Sequence, residues 1–83
     1  MKVNGTIAAA NLNIGRYVAR SPAGYLVMDL MQGELNLRDV VSFDPQHLGP
    51  AYLINHTTGE SVEVCVEALL STLQAAVAVT ESR

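Results

Sequence analysis

Ser42, Ser61 and Cys65 are the candidate nucleophiles in this chain, and His47 and His56 are the candidate bases. Covalent catalysis needs a base within hydrogen-bond reach of the nucleophile, and a third group to orient the base. These residues can be paired on paper, but no strained-elbow motif, glycine-rich phosphate loop or carboxylate pair accompanies them. A core this small is also expected to leave little room for a pocket of ~300 Å³ or more. The chain is not expected to be an enzyme. His47, His56 and Cys65 are zinc-ligating types as well. No Cys-x-x-Cys or His-x-x-x-His spacing joins them, and they fall on separate elements. No metal or cofactor is expected.

A second group has binding chemistry. Arg16, Tyr17, Arg20 and Tyr25 lie on adjacent expected strands. If the arginines share a face, they make a small basic patch with Lys2, with a tyrosine to stack or hydrogen-bond. Such a patch would take single-stranded nucleic acid or a small anion. Against this stands a net charge of -3, with Lys2, Arg16, Arg20, Arg38 and Arg83 the only basic side chains. A dedicated polyanion binder carries an excess of Lys and Arg, because affinity comes from displacing counterions. Three cations would bind weakly and with steep salt dependence. The plainer reading makes the arginines solvated strand residues and the tyrosines core or rim fillers.

The elements that must position these groups read as short strands. Lys2 to Ala10 alternates, with Val3, Ile7 and Ala9 on one face and Asn4, Thr6 and Ala8 on the other. Gly5 marks a bend or a close backbone approach. A turn over Asn11–Gly15 leads to a return strand, Arg16 to Arg20, in which Tyr17 and Ala19 face opposite to Val18. Ser21-Pro22-Ala23-Gly24 fits a type I turn, since proline presets φ at its second position. Tyr25 to Leu30 forms a third strand. Asp39 to Phe43, Ala51 to Asn55 and Ser61 to Val66 follow, with Pro45 and Pro50 assigned to the loop between the first two of these. Glu67 to Thr80 changes to a helical period. Close spacing and tight turns predict one mainly β domain over residues 1–83: a five- to six-stranded antiparallel barrel of OB or SH3 type, with a C-terminal α-helix over 67–80.

With 83 residues the core is thin, and no disulfide supports it because Cys65 is the only cysteine. A lone thiol points to a reducing compartment. No signal peptide and no membrane span is visible, so a cytoplasmic location is expected. Hydrophobic residues make up 49% of the chain and charged ones 16%, against roughly 25% charged in typical domains. Leftover apolar surface is expected to drive association with a second copy or a protein partner. The helix is the expected interface, through Leu69, Leu70, Leu73, Ala76, Val77 and Val79, with one stripe capping the barrel mouth. An open sheet edge is the other candidate.

Gly5-Thr6-Ile7, Asn11, Gly15, the Leu26-Val27-Met28 strand and Asp39-Val40-Val41-Ser42-Phe43 resemble the cold-shock-like branch of the OB fold over about 40 residues. That resemblance implies a small barrel binding single-stranded nucleic acid through aromatic side chains of its first two strands. Base stacking on such aromatics is worth ~1–3 kcal/mol per base. At the matching positions this chain has Ala8-Ala9-Ala10, Arg16 and Val18, so the platform that would produce the activity is missing. Leu48-Gly49, Leu53, Asn55, Thr57 and Gly59-Glu60 are similar to a segment of small uncharacterised bacterial proteins, a likeness that implies no activity.

Overall fold

The computed structural model describes residues 2–81. Its elements are β1 (Val3–Asn11), β2 (Arg16–Ser21), β3 (Gly24–Gln32), β4 (Val40–Phe43), β5 (Gly49–Asn55), β6 (Glu60–Leu70) and α1 (Leu73–Glu81). The six strands close into one antiparallel barrel in the order β1-β2-β3-β6-β5-β4, with β1 paired to β4. It consists of two three-stranded meanders, each built from sequential neighbours, joined along β3–β6 and β1–β4. The architecture is consistent with an OB-like barrel, with six strands where the OB fold has five.

Alternation sends Ile7, Tyr17, Ala19, Leu26, Met28, Val41, Phe43, Leu53, Val62, Val64 and Val66 into the interior, with Leu35 closing one end. Gly5 is required where β1 passes closest to this core, because a Cβ there would lie 2.8 Å from the Phe43 ring. At the Leu35 end the core turns polar. Asp39 and Asn55 are both buried, and Asp39 Oδ2 accepts hydrogen bonds from Asn36 N–H (2.9 Å) and Asn55 Nδ2 (2.8 Å). Asn55 Oδ1 accepts in turn from Thr57 N–H at 3.0 Å.

The structure departs from the sequence pattern in four places. A bulge between Ile7 and Ala9 reverses the phase of β1, so Ala10 packs on the core and Ala9 on the outer wall. The Ile7 N–H and C=O there bond the Asp39 C=O and the Arg38 N–H, both at 2.8 Å, and Arg38 takes a φ of 76°. Pro50, assigned to a loop, is the second residue of β5. It fits there because β4 pairs β5 only at Val41↔Asn55 and Ser42↔Ile54, so nothing on that side needs its missing N–H.

The third departure is the largest. Glu67–Leu70 continues β6 rather than opening the helix, pairing Leu69 with Leu26 and Leu70 with Tyr25. Leu69 packs inward and Leu70 outward. The helix starts at Leu73 because Thr72 caps it, its Oγ1 accepting the Ala75 N–H at 3.1 Å. Finally, α1 does not cap the barrel mouth. It lies on the outer wall over β2 and β3, where Ala76 packs with Val18, Val27, Tyr25 and Leu70. Nine residues make a marginal helix in isolation, so this contact holds it. Among the described residues no helix is long and apolar enough to cross a membrane.

Candidate functional site

The basic and aromatic candidates do not form one patch. Tyr17 points into the barrel and is 6% exposed. Arg16 and Arg20 share the outer face of β2, with the fully buried Val18 between them. Arg16 is held by Asp29 on β3, its Nε 2.6 Å from Oδ1 and its Nη2 3.1 Å from Oδ2. The hydrogen bond to Arg16 holds the Asp29 carboxyl below its ordinary range, outweighing the opposing effect of burial, and the Arg16 charge adds to the lowering. Asp29 in turn raises the Arg16 guanidinium further, chiefly through the same bond. Arg20 is exposed and is the direct cross-strand partner of Tyr25, which is half-buried beside α1. Lys2 stands apart, at the seam between β4 and β5.

Of the helix candidates, Leu69 and Leu70 belong to β6 and pack within the chain, as does the fully buried Ala76. Leu73 is exposed. The side chains of Val77 and Val79 lie outside the described residues.

One pairing of nucleophile and base does come together. Ser42 Oγ lies 2.5 Å from His56 Nε2 and donates to Asn4 Oδ1 at 2.8 Å. A hydroxyl has one proton, so with that proton on Asn4 the imidazole donates to the serine instead of drawing its proton away. Neither Ser42 nor His56 lines any of the hollows described below. His47 reaches the Pro50 carbonyl at 2.7 Å, and the thiol of Cys65 is half-buried on β6. Among the described residues no group of three or more His, Cys, Asp or Glu is placed to hold a metal ion.

Sequence reasoning missed the hollows and the outer face of β5. A concavity of about 470 Å³ at the Leu35 end is lined by Ala10, Leu12, Tyr17, Leu35, Asn36 and Leu37, larger than the core size led us to expect. A smaller one, about 170 Å³, occupies the β4–β5 seam. β5 reads Gly-Pro-Ala-Tyr-Leu-Ile-Asn. Its inward set is Ala51, Leu53 and Asn55, yet its outward set is Pro50, Tyr52 and Ile54, all exposed, Tyr52 by 72%. Apolar residues on both faces are the pattern of strands covered on both sides, and here the outer face is uncovered among the described residues. That signal was present in the unbroken apolar run.

Fold and surfaces together define a small closed β-barrel with a helix on one wall and a bare apolar strand on another. Comparison with protein-family models, with curated proteins and with solved structures finds no match.

Proposed function

We propose that this protein is an interaction module that self-associates, with the outer face of β5 as its contact surface. One observation carries the reading. Two stretches of barrel wall are apolar on their outer surface as well as within. The first, Val18, Tyr25 and Val27 on β2 and β3, is covered by α1. The second, Pro50, Tyr52 and Ile54, is bare. A second copy suits it, because an antiparallel two-fold arrangement sets Tyr52 against Tyr52, with Ile54 of one chain over Pro50 of the other. Leu73 gives α1 a smaller exposed point for the same use. The lone thiol fits a reducing, cytoplasmic setting.

Sedimentation velocity at micromolar concentration tests this. The wild type is expected as a dimer and Tyr52→Ser/Ile54→Ser as a monomer, with Leu73→Ser unchanged. A monomeric wild type overturns the proposal, and a monomeric Leu73→Ser moves the contact to the helix. The second reading is a weak OB-type binder of single-stranded nucleic acid or a small anion. Its support is the adjacency of Arg20 and Tyr25. A titration with short single-stranded DNA and RNA at ~50 mM salt removes it if no binding appears.

A further inference from the structure

We infer that the seam between β4 and β5 is a binding site for a free α-amino acid with a branched aliphatic or benzyl side chain. The two strands pair at only two positions, and beyond them β4 ends at Phe43 while β5 continues back to Gly49. The wall therefore opens between Phe43 and the first half of β5. The resulting hollow, about 170 Å³, has Phe43, Pro50, Ala51, Tyr52, Leu53 and Val66 as its apolar lining and Lys2, Asp44 and His47 as its polar residues, so Pro50 and Tyr52 belong both to this hollow and to the proposed contact surface. An apolar cavity of about 150 Å³ takes a benzene ring, so this space suits the side chain of leucine or phenylalanine.

The polar residues set the rest of the ligand. Lys2 and Asp44 carry opposite charges, both are exposed, and neither has an ion-pair partner among the described residues. Asp44 Oδ1 accepts the Gln46 N–H at 2.9 Å, which leaves Oδ2 to receive a donor. The loop is already fixed: His47 N–H donates to the Asp44 carbonyl at 3.1 Å, and His47 Nε2 donates to the Pro50 carbonyl at 2.7 Å. One cation and one anion beside an apolar hollow match a zwitterion, its carboxylate toward Lys2 and its ammonium toward Asp44. A monocarboxylate or an amine would satisfy one charge and meet the other as a like charge.

Backbone NMR titration tests the site with L-leucine and L-phenylalanine as probes. Saturable shifts are expected at Phe43, Asp44, His47, Ala51 and Val66. The acid 4-methylpentanoate and the amine 3-methylbutylamine are each expected to bind about tenfold more weakly than leucine. Lys2→Gln should bring leucine down to the level of the amine, and Asp44→Asn down to the level of the acid. The amide side chain introduced by Asp44→Asn would keep the oxygen that accepts the Gln46 N–H. Shifts that do not saturate, shifts centred elsewhere, or analogues binding as well as leucine would overturn the inference. Repeating the titration on Ile54→Ser separates this site from self-association, because Ile54, unlike Pro50 and Tyr52, belongs to the proposed contact surface without lining the hollow. Leucine binding by the variant as tight as by the wild type, or tighter where the wild-type dimer covers Pro50 and Tyr52, supports a site within one chain. Loss of binding in the variant overturns it.

Discussion

Asn55 Nδ2 donates to Asp39 Oδ2 at 2.8 Å inside the closed barrel, joining the end of β5 to the residue that precedes β4. Both residues are buried, and no buried side-chain polar atom among the described residues lacks a partner. Asn55→Ala removes the donor and leaves Asp39 Oδ2 to the Asn36 N–H. The expected loss is roughly 2–3 kcal/mol, the cost of a buried acceptor left short of a partner. Thr57→Val loses an exposed bond to the Val40 N–H and should cost about 1 kcal/mol or less. Urea midpoints rank the two.

The Arg16–Asp29 pair makes stability depend on acid. Asp29 ionises below its ordinary value when folded, so its contribution is present above about pH 3.9 and is lost as pH falls through the lower folded value. Arg16 and Asp29 are each partly exposed, so the contribution is held to about 1 kcal/mol or less. Asp29→Asn should be less stable than wild type at pH 7, with the gap closing below about pH 3.9. Equal stability at both pH values would remove the pair from the account.

Cys65 should be a slow thiol. Burial, the carboxylate of Glu67 and then that of Asp29 push its ionisation above the ordinary value. Alkylation at pH 7 is expected to run slower than for free cysteine and to rise with pH beyond the normal thiol range. Glu67→Gln should quicken it.

Gly5→Ala is expected to destabilise the barrel. The added methyl would meet the Phe43 ring at 2.8 Å and the Arg20 carbonyl at 3.2 Å. Overpacking costs typically ~1–3 kcal/mol, more than the ~0.4–1 kcal/mol gained by restricting the unfolded chain. Thermal unfolding checks the sign.

Six strands were legible because most of them alternate cleanly. Where the alternation is chemically mute, the reading failed. Ala8, Ala9 and Ala10 are identical side chains, so nothing in them marks which one the bulge turns outward. Glu67-Ala68-Leu69-Leu70 favours helix by local propensity, but pairing with β3 buries Leu69 inside and Leu70 under α1, and tertiary contact decides. The residue that caps the helix and sets its true start, Thr72, was not read as a starting signal. At the proposed contact surface, the apolar type of Tyr52 and Ile54 was visible, but their exposure depends on which wall α1 covers. The Lys2–Asp44 juxtaposition exists only after β1 and β4 pair, across some forty residues of chain.

A ring of strands has no free end, so one interface must separate before the others can unroll. Five of its joints hold between four and seven paired positions, and the β4–β5 joint holds two. Local opening should begin there, and the amides of β4 and early β5 should trade hydrogen for deuterium sooner than those of β3 or the middle of β6. A molecule held in that joint would slow this exchange.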